Sequence, residues 1–169
     1  MSSKMLQTAD GTYTNAVYGF LAIMFKLFED TKPEYLAVAF DVKNPTKRHE
    51  MYKDYKGTRK GMPDELAAQM PIIKDVLRKM NITIIEKQGY EGDDIIGTVA
   101  TLAKKEGYQV SIISGDQDML QLVDTNITVY RTIKGVTELE ANTPELIREK
   151  YNLIPDQIRD LKGLMGDTS

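Results

Sequence analysis

The chain has 169 residues, of which 41% are hydrophobic and 28% charged, so its length and composition predict one soluble globular domain and exclude a disordered chain. It contains no cysteine and one histidine, which excludes disulfides and thiolate metal sites and argues against a zinc site built from histidines. The net charge is −3, and no apolar run is long enough for a membrane span or a signal peptide, so we expect a cytoplasmic protein.

The first predicted elements are a helix and a buried strand. Apolar side chains recur at helical spacing over residues 14–29, and Thr14 is the expected cap of this helix. The apolar run 35–40 then predicts a buried strand that ends at Asp41.

A basic segment follows this strand, and its middle is expected to be helical. Between Lys43 and Lys60 the sequence has seven Lys or Arg residues and two acidic residues. Other acidic residues concentrate elsewhere in the chain, so this segregation predicts a face for phosphate groups. A solvated charged helix explains the basic run equally well when the run is considered alone.

Strands and helices then alternate to the end of the chain. A helix is expected from Pro63 to Lys79, bent or divided at Pro71 because proline cannot donate a helical hydrogen bond. The later predicted elements are strands at 82–85 and 110–114, a helix from the 89–94 turn to residue 107, a short helix at 119–123, a hairpin or adjacent edge strands at 127–131 and 136–139, and helices at 143–151 and 155–165. Such alternation predicts an α/β sandwich, in which helices cover both faces of a mostly parallel sheet.

Acidic residues follow three of the predicted strands. They are Asp41 after the first, Glu91, Asp93 and Asp94 after the second, and Asp116 and Asp118 after the third. Sites in open α/β sheets form beyond the carboxyl ends of the strands, so we expect these side chains to share one edge. Crowded carboxylates attract cations, and oxygen ligands without cysteine indicate Mg²⁺ or Mn²⁺. Helix capping is the alternative explanation for each acidic group taken alone.

Six motifs in series resemble those of a known family. They are Thr14 to Phe20, Val38 to Asp41, Arg48 to Arg59, Gly89 to Asp94, Ser114 to Asp118, and Gly163 to Asp167. Together they closely resemble the N-terminal 5′→3′ exonuclease domain of bacterial DNA polymerase I and its stand-alone flap endonuclease relatives. The resemblance covers about residues 6–169.

This resemblance implies a PIN-like three-layer sandwich that cuts 5′ flaps and 5′ ends of DNA with two Mg²⁺ or Mn²⁺ ions. The implied metal-binding acids are Asp41, Glu91, Asp93, Asp94, Asp116, Asp118 and Asp167. Lys56 and Arg59 are the implied catalytic residues, which meet the scissile phosphate from an arch-like helical region. The implied DNA contacts also include Arg48 and Lys60 on the backbone and Tyr52 and Tyr55 on a frayed base, although packing is the favoured role of both tyrosines.

Two parts of the family pattern have no counterpart in residues 1–169. They are the first strand, with its Asp-Gly-Asn motif, and the C-terminal helix–turn–helix that grips duplex DNA. We therefore expect an incomplete nuclease domain with an exposed sheet edge, and the sequence leaves open its oligomeric state and whether a polymerase domain follows in the parent protein. A DNA-binding domain without hydrolysis is the second hypothesis. A Mg²⁺-dependent phosphotransferase or phosphatase for small molecules is the third, and it leaves the basic segment unexplained.

Overall fold

The computed structural model describes residues 6–42, 46–52, 55, 61–134 and 138–166. In chain order the elements are α1 (Asn15–Thr31), β1 (Ala37–Ala39), α2 (Lys47–Met51), α3 (Asp64–Ala67), α4 (Met70–Lys79), β2 (Thr83–Ile85), α5 (Gly92–Lys105), β3 (Val110–Ile113), a 3-10 helix (Gln117–Leu122), β4 (Ile127–Lys134), β5 (Glu138–Asn142), α6 (Pro144–Tyr151) and α7 (Gln157–Met165). They fall into two compact units. The first unit spans Met1–Phe40 and Arg59–Ile85, and the second spans Asp41–Thr58 and Glu86–Ser169.

The first unit is a pair of parallel strands packed with helices. Strands β1 and β2 are parallel, with Val38 opposite Ile84. Helices α1 and α4 contribute the buried side chains of its core, which are Val17, Met24, Ile73 and Leu77. Partly buried apolar residues of β1 and β2 pack against this core, so both apolar runs form strands as predicted. The prediction that the run 35–40 is buried is wrong, because Tyr35 is 74% exposed and the residues of β1 are exposed or half-buried.

The predicted division of the helix that starts near Pro63 is confirmed. Helix α3 ends at Ala67, and α4 begins at Met70 with Pro71 in its first turn. Proline is tolerated there because the first helical N–H groups have no acceptor within the helix.

The start of α1 differs from the prediction, because Thr14 makes no side-chain capping hydrogen bond. The buried side chain of Gln69 takes this role, and its Oε1 accepts the N–H groups of Ala16 at 2.8 Å and Val17 at 3.3 Å. Its Nε2 donates to the carbonyl of Glu65 at 2.8 Å. A residue 53 positions away therefore satisfies the first turn of α1.

The second unit is built on a three-stranded sheet in the order β3-β4-β5. Strand β3 is parallel to β4, and β4 is antiparallel to β5. Its core takes buried residues from the sheet, the 3-10 helix and three helices, among them Ala100, Ile112, Leu120, Val129, Ile147 and Ile158. Thr143 caps α6, since its Oγ1 accepts the N–H of Leu146 at 3.4 Å.

The prediction that the strands at 35–40, 82–85 and 110–114 share one sheet is wrong for the described residues. Strand β3 pairs with β4, whereas β1 pairs with β2. Local strand patterns do not specify which neighbour a strand pairs with. Strand β4, which the sequence indicates only as part of a hairpin or an edge, lies in the centre of the second sheet. It is eight residues long, and it pairs with β3 on one side and with β5 on the other. The predicted α/β class is confirmed, and two of the three strand pairs among the described residues are parallel.

Helix α2 (Lys47–Met51) covers part of the first half of the basic segment, and residues 43–45, 53–54 and 56–60 lie outside the described part of the chain. Within the described ranges, every helix falls short of the length and apolar character that a membrane span requires.

Candidate functional site

The N-terminus of α5 gathers three of the predicted metal-binding acids. Glu91 is the N-cap residue and Asp94 lies three positions later, and the two form a capping box. The backbone N–H of Glu91 donates to Oδ2 of Asp94 at 3.0 Å. Glu91 is buried, and Asp93 and Asp94 are half-buried. The capping alternative is therefore present here, and it places the acidic side chains together at the positive end of the helix.

Asp41 is joined to the same helix end. Its Oδ1 accepts a hydrogen bond from the backbone N–H of Gly92 at 2.5 Å. A Cβ atom at position 92 would lie 3.3 Å from Oδ1 of Asp41, which is closer than ordinary van der Waals contact. Glycine at this position thus allows the acid that follows β1 to approach the backbone of α5.

Helix α2, at the start of the basic segment, is attached to the loop that precedes α5. The backbone N–H of Lys47 donates to the carbonyl of Gly89 at 3.0 Å. Its Nζ donates to the Tyr90 hydroxyl at 2.6 Å and lies 4.5 Å from the ring centroid. This hydrogen bond raises the pKa of Lys47 and lowers the pKa of Tyr90. Gly89 has a φ of +82°, a backbone conformation that glycine adopts without strain.

Arg48 contacts the acids directly. Its Nη1 and Nη2 donate to Oδ2 and Oδ1 of Asp94 at 2.8 and 2.6 Å. Nη1 also lies 3.2 Å from Oε2 of Glu91. The hydrogen bonds to Asp94 raise the pKa of Arg48 still further above its ordinary value. The arginine predicted as a DNA backbone contact therefore neutralises two predicted metal-binding acids in this structure.

The two tyrosines predicted near DNA have different surroundings. The hydroxyl of Tyr55 donates to Oε2 of Glu91 at 3.2 Å, and its ring packs edge-on against His49 with a centroid distance of 5.3 Å. Tyr52 is 62% exposed. The favoured packing role thus fits Tyr55, whereas the exposed ring of Tyr52 leaves base stacking open to it.

The turn after β3 carries the remaining described acids, and both are exposed. Oδ1 of Asp116 accepts the backbone N–H of Asp118 at 2.8 Å, so Asp116 caps the 3-10 helix. Oδ1 of Asp118 lies 3.0 Å from Nζ of Lys162 on α7. Sequence reasoning missed Lys162, although it stands directly before the Gly163 to Asp167 motif, which is the one signal that could have indicated it.

The described donor set suits a hard divalent cation in its chemistry, since carboxylate oxygens are the ligands that Mg²⁺ and Mn²⁺ prefer. Arg48 and Lys162 form ion pairs with two of these carboxylates, those of Asp94 and Asp118. The carboxylates therefore attract positive charge in this structure. In the part of the chain that the structure describes, no three acidic or histidine side chains stand close enough to hold one ion. Four predicted site residues lie outside that part, namely Lys56, Arg59, Lys60 and Asp167. The metal and DNA roles therefore stay predictions.

Comparison with known proteins gives similarities in sequence and in fold. Residues 1–152 match the family described as 5′-3′ exonuclease, N-terminal resolvase-like domain. The chain is 49% identical over 165 residues to DNA polymerase I of Bacillus subtilis and 45% identical over 169 residues to that of Mycobacterium bovis. These alignments cover 98% and 100% of this chain but 19% of each relative, so the chain spans about a fifth of the length of the relatives it matches.

Two solved structures of bacteriophage T5 proteins share the fold. One is T5 5′-exonuclease with bound zinc ions, with a TM-score of 0.70 and 22% identity over 89% of this chain and 58% of that one. The other is the T5 flap endonuclease in a pseudo-enzyme-product complex with DNA and metal ions, with a TM-score of 0.70 and 21% identity over 91% of this chain and 58% of that one. This likeness confirms the predicted PIN-like α/β fold.

Proposed function

Because the chain belongs to the family of 5′-3′ exonuclease N-terminal resolvase-like domains, we propose that it is the nuclease domain of a DNA polymerase I-type protein. Its proposed activity is divalent-metal-dependent 5′→3′ exonuclease and 5′-flap endonuclease cleavage of DNA in replication and repair. The proposed substrates are DNA with 5′ flaps, 5′ ends or nicks. The proposed compartment is the cytoplasm, because bacterial DNA polymerases work on DNA there.

One observation carries this proposal beyond family membership, namely the attachment of α2 to the start of α5. Lys47 and Arg48 contact Gly89, Tyr90 and the acids through four hydrogen bonds. The beginning of the basic segment therefore lies beside carboxylates that suit a divalent ion. Metal-dependent phosphodiester hydrolysis uses both kinds of group, since cationic side chains would hold the phosphate and carboxylates would hold an ion that supplies activated water.

The proposed roles follow from the chemistry of the residues. A divalent ion would be held among Asp41, Glu91, Asp93, Asp94, Asp116, Asp118 and Asp167. When bound, such an ion activates a water molecule and stabilises the leaving oxygen, and a pair of ions does both together. Lys56 and Arg59 are the proposed contacts to the scissile phosphate, Lys60 is a proposed contact to the DNA backbone, and Tyr52 is a proposed platform for an unpaired base.

Cleavage of defined DNA substrates tests this proposal. A 5′-flap DNA, its 3′-flap isomer and a small phosphate ester are each incubated with Mg²⁺, with Mn²⁺ and with chelator. We expect cleavage of the 5′ flap alone, and only with metal. Turnover of the small ester without DNA cleavage would instead favour the phosphotransferase or phosphatase hypothesis.

A second candidate function is DNA binding without hydrolysis. It is favoured by the two cationic side chains that already contact the acids, Arg48 at Asp94 and Lys162 at Asp118. The same assay separates the two functions when it is run beside a binding measurement. A folded chain that binds flap DNA but leaves it intact at saturating Mg²⁺ and Mn²⁺ would support this second candidate.

A further inference from the structure

Arg48 directs both of its terminal nitrogens to acids that a metal ion would need. Its fork of two N–H donors takes both oxygens of Asp94, and Nη1 approaches Oε2 of Glu91. An arginine bound in this bidentate way and a divalent ion compete for the same oxygens, because each occupies lone pairs on them and the two positive charges repel one another. Competition between them is therefore built into the geometry.

The surroundings of Arg48 allow it to leave. Its side chain is 39% exposed, whereas that of Glu91 is 11% exposed, so the guanidinium lies on the outer side of the acids. Helix α2 keeps other attachments when this contact breaks, because Lys47 is bonded to Gly89 through its backbone and to Tyr90 through its side chain. Release of Arg48 therefore requires a change of side-chain rotamer and no unfolding of α2.

We propose that Arg48 is a displaceable internal counter-ion, which neutralises Asp94 and Glu91 until a divalent ion takes its place. The inference rests on the proposed metal role of these two acids. Its consequence is a coupling between two charges, since metal binding frees a guanidinium at the start of the basic segment, where it can contact a DNA phosphate. Such coupling is reciprocal, so DNA that captures Arg48 strengthens metal binding by the same factor.

Mn²⁺ titration of charge-matched variants tests the proposal. Arg48→Met keeps the length of the side chain and removes its charge, so Mn²⁺ should bind on the order of tenfold more tightly, because charged hydrogen bonds of this strength no longer compete. Lys104→Met is the matched control, because Lys104 forms a 2.7 Å ion pair with Asp124 near the other end of α5. It makes the same change in net charge and should alter the Mn²⁺ affinity by less than about twofold.

Titration of the wild-type chain with Mg²⁺, followed by nuclear magnetic resonance, tests the proposal even where Arg48→Met fails to fold. The guanidinium resonance of Arg48, assigned by its loss in Arg48→Lys, should shift in proportion to Mg²⁺ occupancy and exchange faster with water at saturation. An unchanged resonance at saturating Mg²⁺, or equal or weaker Mn²⁺ binding by folded Arg48→Met, would overturn the proposal. A folded wild-type chain that binds neither ion would overturn the proposed metal-dependent function itself.

Discussion

The Oδ1 atom of Asp41 accepts the backbone N–H of Gly92 at 2.5 Å, and this contact joins the acid that follows β1 to the first turn of α5. Asp41 is 51 positions from Gly92 in the sequence, and Asp94 lies in the same helical turn as Gly92. The contact therefore brings Asp41 and Asp94, two acids distant in sequence, to one helix end. The contact depends on the missing Cβ atom of Gly92. It therefore offers a way to move one proposed metal ligand without changing its chemistry.

Gly92→Ala should weaken Mn²⁺ binding by about tenfold, because the added Cβ displaces the Asp41 carboxylate and partners of metal ligands typically matter by this much. The melting temperature in chelator should be equal or higher, because alanine favours the helix more than glycine does. Gly97→Ala is the control, since its Cβ would meet only Leu122 at 3.7 Å, an ordinary contact. Equal Mn²⁺ affinity in the two variants would remove Asp41 from the proposed site.

Gln69→Leu should destabilise the chain by roughly 2–4 kcal/mol, because it leaves the N–H groups at the start of α1 without their buried acceptor. Urea unfolding monitored by circular dichroism measures this loss. Mn²⁺ affinity of the folded variant should stay at the wild-type value, since Gln69 contacts α1 and α3 and none of the acids named above. A loss below about 0.5 kcal/mol would show that water replaces this cap.

The family and the main elements could be predicted from the sequence because they depend on local patterns. Apolar periodicity predicts α1, the turn at 89–94 predicts the start of α5, and the match to the exonuclease family confirms the identification made from six motifs. The apolar runs around β1 and β2 also predict strands, although the paired strands are three residues each and are half-buried or exposed instead of buried. Proline chemistry predicted the break between α3 and α4.

Long-range partners could not be predicted from one sequence. Nothing near Gln69 indicates that it caps a helix 53 positions away, and nothing near Arg48 indicates a carboxylate 46 positions away. The division into two sheets was missed for the same reason, because strand propensity does not specify which neighbour a strand pairs with. Such contacts are decided by tertiary packing.

Lys56→Ala and Arg59→Ala should each weaken binding to flap DNA and reduce the steepness of its salt dependence. Each lost phosphate contact lowers the slope of log affinity against log salt by about 0.9 on duplex DNA. Lys79→Ala is the control, because Lys79 is an exposed residue that pairs with Asp75 on α4. Binding isotherms at several salt concentrations measure the effect, and slopes equal to that of Lys79→Ala would favour a merely solvated basic helix.

Lys104→Met should lower the free energy of unfolding at neutral pH, and this loss should decrease in acid. The hydrogen bond from Lys104 lowers the pKa of Asp124 below its ordinary value of 3.8. A carboxyl group with a lowered pKa contributes stability above its unfolded pKa and loses it as the pH falls through the folded value. The difference in stability between wild type and variant should therefore be constant near neutral pH and shrink below about pH 4. A difference that persists to lower pH would contradict this cause.

Titration of Mn²⁺ into Asp116→Asn, with melting curves in chelator, tests the central claim most directly, namely that these carboxylates hold a divalent ion. Asparagine caps helices as well as aspartate does, so the hydrogen bond to Asp118 is kept while one charge is removed. We predict weaker Mn²⁺ binding and an equal or higher melting temperature, since one member of a mutually repelling set is neutralised. Asp116→Ala, which also loses the cap, should cost about 0.5–2 kcal/mol in chelator. Mn²⁺ binding by Asp116→Asn equal to that of wild type, together with a lower melting temperature, would contradict the account.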